Sequence, residues 1–93
     1  MQTEHTDGHA ARETILEVVV NQIRENAPPE TRSTFQRLQD QGHPPKEART
    51  LIACVLAAEI YRMVKAKEGY DEARYINHLQ QLPDLPWRSE VEN

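Results

Sequence analysis

The 93-residue chain contains few of the side chains on which catalysis and metal binding depend. It has one cysteine, Cys54, which cannot form an internal disulfide, and its four histidines lie in no motif of nucleophile, base or ligand. Its longest uncharged apolar stretch, residues 51–58, is much shorter than the roughly 20 residues that cross a membrane. We therefore expect a cytoplasmic protein with no membrane segment, no catalytic site, no cofactor and no metal site.

Positive charge is also scarce. Eleven Lys and Arg stand against fifteen Asp and Glu, which gives a net charge of −4, and the basic residues form no cluster. Nucleic-acid phosphates require a concentrated basic surface, so this balance argues against DNA or RNA as a partner. The partner we expect is another protein or a second copy of the chain.

Length predicts a single domain over residues 1–93, because halves of so short a chain could not each bury a core. A domain of this size buries only about 60–65% of its unfolded surface, which leaves oligomerisation open. The polar ends, residues 1–8 and 88–93, are expected to be disordered.

Apolar spacing and proline positions predict four helices and no strand. The first helix, over residues 9–26, ends at the Asn-Ala-Pro-Pro stretch of residues 26–29. The second covers residues 29–41, with proline in its first turn and Gly42 after its end. The expected inner residues of these two helices are Ile15, Leu16, Val19, Val20, Ile23, Phe35 and Leu38.

The third helix, over residues 45–68, is the longest and is expected to be central, with Gly69 ending it. Asp71 is placed to cap a fourth helix over residues 72–81. The inner residues of this helix are expected to be Tyr75 (or Ala73), Ile76, Leu79 and Leu82. The predicted fold is therefore all-α, a small four-helix bundle with a long central third helix and an extended C-terminal tail.

The proline-rich tail, residues 82–87, has two interpretations. Trp87 either packs onto the bundle as part of an extended strap or belongs to a docking peptide for a partner. We favour the strap, because a large apolar ring usually finds cover in its own chain.

Glu59 is a carboxylate in the apolar half of the third helix. An unpaired buried charge is costly, so Glu59 must reach solvent, pair with a cation or bind a metal. We expect an ion pair with Arg62, a lysine or Arg12. The alternative is a metal-binding protein that uses Glu59 with His9 or His78.

Scattered residues between positions 9 and 82 carry a family resemblance. They are Val-Asn-Gln-Ile at 20–23, Pro-Pro-Glu-Thr at 28–31, Arg37-Leu38, Gly42, Glu47-Ala48, residues 52–56, Glu-Ile-Tyr at 59–61, Arg74-Tyr75, Leu79 and Leu82. The pattern resembles a bacterial family of small uncharacterised all-helical proteins, a domain of unknown function. That family has a His-x-x-x-His-x-x-x-Glu-Asn-Gln helix, a Pro-Pro turn and a His-Glu-Ala-x-His helix.

The resemblance implies a fold rather than an activity, and this chain lacks the family's histidines. The His, His and Glu of the family's first helix fall on Arg12, Leu16 and Val20, and its later histidines fall on Lys46 and Thr50. Leucine and valine cannot coordinate a metal. The resemblance therefore implies a member in which packing has replaced a polar centre.

These observations predict a non-catalytic protein-interaction or oligomerisation module, with a homodimer as one form. The third helix is apolar around much of its circumference, so it needs cover on more than one side. A second chain would cover what the other helices leave exposed. A weak nucleic-acid-associated module, using the third helix with Arg32 and Arg37, is the last alternative.

Overall fold

A computed structural model of the chain describes the backbone of residues 3–85 and the side chains of residues 11–85. Within this range the chain forms four helices and no strand: α1 (Thr3–Glu25), α2 (Pro29–Asp40), α3 (Pro45–Ala66) and α4 (Glu72–Gln81). The predicted all-α four-helix bundle is confirmed. Every helix boundary lies within two residues of the predicted one, except the beginning of α1.

α1 begins six residues earlier than predicted, so residues 3–8 belong to the helix. This stretch contains no proline that would interrupt a helix. Gly8 is the one unfavourable residue, at a cost of about 1 kcal/mol relative to alanine. The expectations for residues 1–2, for 88–93 and for Trp87 lie outside the described residues.

Residues with special backbone or capping properties mark most of the helix ends. Asn26 adopts a left-handed φ of 56° directly after α1, and the two prolines that follow open α2. Gly42 has a φ of 103° after α2, a conformation that a glycine adopts without strain. The Asp71 side chain accepts a hydrogen bond from the Arg74 backbone N–H at 3.1 Å, which confirms the predicted cap of α4.

α3 ends two residues before the predicted position. The helix ends at Ala66, and Lys67 rather than Gly69 takes the left-handed conformation, with φ 56° and ψ 39°. Four residues later, the Asp71 backbone N–H donates to Glu59 Oε2 at 3.2 Å. The turn after α3 brings residue 71 back against this helix.

The core lies between all four helices, and α2 and α3 each pack against the other three. Its buried apolar residues are Val19, Leu38, Ala48, Ile52, Ala53, Val55, Leu56, Tyr75, Leu79 and Leu82. Ile15, Leu16, Ile23 and Phe35 pack against this core and are half-buried. The prediction for Val20 was wrong: it is 40% exposed. It lies about 100° around α1 from the fully buried Val19.

A buried polar cluster joins α1, α2 and α4. Gln22 Oε1 accepts hydrogen bonds from the Tyr75 hydroxyl and from Thr31 Oγ1, both at 2.8 Å. Tyr75 and Thr31 are fully buried. Since each donor has its acceptor, the hydroxyls are stabilised where an unpaired polar group would be costly. The cluster fixes the beginning of α4 against the other two helices.

Candidate interaction surface

α3 presents an apolar strip on the side away from most of its core residues, although the buried Ala53 neighbours Ala57 of the strip. Its core side carries Ile52, Val55, Leu56 and Glu59, all buried. The strip, which we call the outer face of α3, consists of Thr50, Cys54, Ala57, Ile60, Tyr61 and Val64. Apart from Ile60, these residues follow one another at alternating spacings of four and three. This is the spacing of a helix face that packs against another helix.

The C-terminal half of the outer face is exposed to solvent. Ile60, Tyr61 and Val64 are 38, 64 and 72% exposed. Residues three and four positions apart are neighbours on a helix surface, so these three side chains are contiguous. Lys65 Nζ lies 5.7 Å from the centroid of the Tyr61 ring, which places a cation at the edge of the strip.

The N-terminal half of the outer face is made of smaller residues. Cys54 and Ala57 are half-buried, and Thr50 is exposed. The Thr50 hydroxyl donates to the Lys46 carbonyl oxygen at 3.0 Å, one turn earlier in the same helix. Because that bond satisfies the hydroxyl donor, the Thr50 side chain can be covered without leaving its proton unpaired.

Glu59 is buried on the core side of α3 and forms an ion pair with Arg74 of α4. Arg74 Nε donates to Oε1 at 2.9 Å and Nη2 donates to Oε2 at 2.8 Å, a two-bond geometry that favours the carboxylate. The hydrogen bonds from Arg74 hold the pKa of the Glu59 carboxyl below its ordinary value, against the opposing effect of burial. The predicted ion pair is confirmed, but its partner is Arg74 rather than Arg62, a lysine or Arg12; the charge of Arg62 makes only a smaller contribution to lowering the pKa of Glu59.

The described residues give little support to the alternative of a metal site at Glu59. Both Glu59 oxygens accept hydrogen bonds, and a metal there would have to displace Arg74. No group of three or more His, Cys, Asp and Glu within the described side chains could hold a metal ion. The side chain of His9 lies outside them. His43 Nδ1 lies 3.6 Å from Glu47 Oε1, which is a single acidic neighbour.

The two arginines named for nucleic-acid binding are engaged at helix ends. Arg32 donates to the carbonyl oxygens of Ile23 and Arg24, both at 3.0 Å, at the end of α1. Arg37 donates to the carbonyl oxygens of Leu79 and Leu82, at 3.0 and 2.7 Å, at the end of α4. Carbonyl groups at a helix C-terminus lack partners within the helix, so these arginines have a structural role.

A shallow cavity of about 200 Å³ lies among α1, α2 and α3. Its lining residues are Val20, Ile23, Arg24, Phe35 and Arg49. The Arg49 guanidinium lies over the Phe35 ring, 5.9 Å from its centroid. The cavity is smaller than the roughly 300–1,000 Å³ of most small-molecule sites, and we assign no ligand to it.

Sequence reasoning did not find Arg74, Gln22 or Thr31 as contributors to the buried polar contacts. Arg74 lies 15 positions from Glu59, and Tyr75 lies 53 positions from Gln22. No local pattern links residues so far apart. The available signals were that buried tyrosine hydroxyls need an acceptor and that buried carboxylates need a donor.

No family model, curated protein or solved structure matches this chain. The resemblance to the bacterial helical family therefore stays a prediction. Among the described residues, no helix combines the length and the apolar character needed to cross a membrane.

Proposed function

We propose that this chain is a non-catalytic self-association module that forms a homodimer through the outer face of α3, in the cytoplasm. The observation that carries the proposal is the exposure of Ile60, Tyr61 and Val64 as one apolar strip, at 38, 64 and 72%. Apolar surface of this kind is unfavourable in water, and a protein partner that covers it gains free energy. The free thiol of Cys54 agrees with a reducing compartment.

Two sets of contacts make this function better supported than metal binding or nucleic-acid binding. Metal binding would have to break the Glu59–Arg74 ion pair. Nucleic-acid binding would have to take Arg32 and Arg37 from the helix ends that they stabilise. The outer face of α3, in contrast, contributes only partly to the core of its own chain and is free to bind without such a loss.

The test is the oligomeric state of the full chain and of a variant in the centre of the strip. Tyr61→Glu places a charge on the outer face without touching the core, since Tyr61 is 64% exposed. We expect a wild-type dimer with a micromolar dissociation constant and at least about tenfold weaker association in Tyr61→Glu, a cost of roughly 1.4 kcal/mol or more. Size-exclusion chromatography with light scattering over a concentration series measures both.

Val18→Glu is the matched control, because Val18 is a 38% exposed apolar residue on α1 rather than α3. It should associate as the wild type does, and both variants should keep the wild-type helical circular dichroism. A wild-type chain that stays monomeric up to about 500 µM would contradict the proposal, because that concentration is well above the micromolar dissociation constant we expect. Equal weakening by both substitutions would show that association does not depend specifically on the outer face of α3, and would also contradict the proposal.

A further inference from the structure

The shallow cavity among α1, α2 and α3 forms an open groove with an apolar floor. The floor consists of Val20, Ile23 and Phe35, and Val20 is 40% exposed. We propose that the chain's own C-terminal segment, residues 86–93, docks in this groove and places the Trp87 ring on the floor. None of the residues that line the groove belongs to the outer face of α3, so the proposal does not depend on self-association.

The size of the groove suits one large side chain. Its volume is about 200 Å³, which is less than most small-molecule sites require. An aromatic side chain buries about 150–250 Å² when it is covered, so covering a ring and an apolar floor together is favourable. Trp87 is the only tryptophan of the chain and lies two residues after Leu85.

The rim of the groove is basic. Arg24 and Arg49 line it, and no acidic residue is among the lining residues. Arg32 adds a third guanidinium, because it donates to the carbonyl oxygens of Ile23 and Arg24. The Arg49 guanidinium lies over the Phe35 ring, so a second ring placed beside Phe35 would also contact a cation. The rim therefore suits a segment that combines an aromatic residue with carboxylates.

The sequence of the segment has the complementary pattern. Residues 87–92, Trp-Arg-Ser-Glu-Val-Glu, alternate apolar or small residues with charged ones. Successive side chains of an extended segment point to opposite sides, so Trp87 and Val91 share one side and can face the floor. Glu90 and Glu92 then lie at the level of the rim, where carboxylates attract guanidinium groups. With Arg88 the segment has one arginine and two glutamates, a net charge of −1 against the three arginines of the rim.

The segment begins close to the groove. Arg37 of α2 donates to the carbonyl oxygens of Leu79 and Leu82, so the end of α4 lies against α2 at this residue. Phe35 is two residues away, which places the groove at the same level of α2 on another side of a helix about 10–12 Å in diameter. Leu85 packs against the core, and two extended residues with an indole side chain reach about as far as that diameter. The rest of the segment can then continue along the groove.

Trp87 reports on its own burial, because no other tryptophan contributes to the fluorescence. The experiment is acrylamide quenching of the full chain, at a concentration where light scattering detects only monomer. A peptide of residues 82–93 provides the reference for an exposed ring. We expect quenching at least about threefold weaker in the full chain than in the peptide, which corresponds to docking in about two-thirds of the molecules.

Substitutions in the groove test the location. Val20→Glu places a carboxylate on the floor, and Val18→Glu is the matched control, because Val18 is a 38% exposed valine of the same helix that does not line the groove. Val20→Glu should weaken docking about tenfold and so raise quenching more than about twofold, whereas Val18→Glu should be quenched as the wild type is. Arg49→Glu, which reverses a rim charge, should raise quenching as well. All three variants should keep the wild-type helical circular dichroism, because the substituted side chains are exposed or half-buried.

Quenching of the full chain as strong as that of the peptide overturns the proposal. Weak quenching that persists in Val20→Glu and Arg49→Glu shows that Trp87 is covered elsewhere and also overturns it, as does an equal change in Val20→Glu and Val18→Glu. Protection that disappears on dilution assigns the docking to a second copy and overturns the intramolecular arrangement. The oligomeric state is measured separately, so failure of this proposal leaves the proposed self-association intact.

Discussion

Alkaline pH should destabilise the fold through Tyr75, which is fully buried and donates its hydroxyl to Gln22 Oε1. Burial raises the pKa of Tyr75 to about 12 from an ordinary value of 10. The unfolded chain therefore loses the phenolic proton near pH 10, whereas the folded chain keeps it until about pH 12. Between these values the unfolded state binds fewer protons, so the free energy of unfolding falls as the pH rises.

The size of the effect follows from the two pKa values. The contribution of Tyr75 is fully present below pH 10 and is lost as the pH rises through about 12. Each pH unit in that window lowers the free energy of unfolding by about 1.4 kcal/mol, so the loss reaches about 2–3 kcal/mol. A small domain has only about 5–15 kcal/mol of stability in total, and the loss should be readily measured.

The assay is urea denaturation of the wild type and of Tyr75→Phe between about pH 8 and about pH 12, the range over which the phenol titrates. At the lower pH the variant should be less stable by about 0.5–1.5 kcal/mol, because it lacks one hydrogen bond. At the upper pH the order should reverse, since phenylalanine has no proton to lose. A constant difference between the two proteins across this range would refute the reasoning.

Two further predictions concern α3. Leu56→Ala should lower the free energy of unfolding by about 2–5 kcal/mol, because Leu56 is 5% exposed in the centre of the core. Val64→Ala, at a 72% exposed position, should change it by less than about 0.5 kcal/mol in the same thermal or urea unfolding experiment at a protein concentration where the chain is monomeric. Equal effects would mean that α3 is oriented differently. Because the folded pKa of Glu59 is below its ordinary value near 4.5, the Glu59–Arg74 pair should stabilise the fold above that pH and be lost on acidification. The free energy of unfolding, measured by denaturation between about pH 3 and about pH 6, should therefore depend less on pH in Glu59→Gln than in the wild type. The same dependence on pH in both proteins would contradict the ion pair.

The helices could be predicted because their ends depend on nearby residues. Proline at positions 28–29 and 44–45, Gly42 and Asp71 each act on the backbone within a few residues. The apolar spacing within each helix then identified most of the core. These are local effects, and a single sequence contains them in full.

The buried polar contacts could not be predicted, because they depend on how the helices meet in space. The ion pair of Glu59 is with Arg74 of α4 rather than with Arg62 of its own helix, and α3 ends at Ala66 rather than near Gly69. Val20 fits the apolar stripe of α1 by spacing, yet the rotation of the helix leaves it 40% exposed. The outer face of α3 was predicted only as an excess of apolar surface. The location of this face could not be predicted without knowing where the other three helices lie.

The same ion pair explains how an apolar face comes to be held outward. Successive residues of a helix point about 100° apart, so Tyr61 lies roughly 200° around α3 from Glu59. The side of α3 that brings the Glu59 carboxylate to Arg74 therefore turns Tyr61 to solvent. Rotating the helix to bury Tyr61 would remove the carboxylate from its donors and leave a charge unpaired, which costs more than one exposed ring. A buried charge on one side of α3 thus fixes which of its apolar residues are exposed to solvent on the other side.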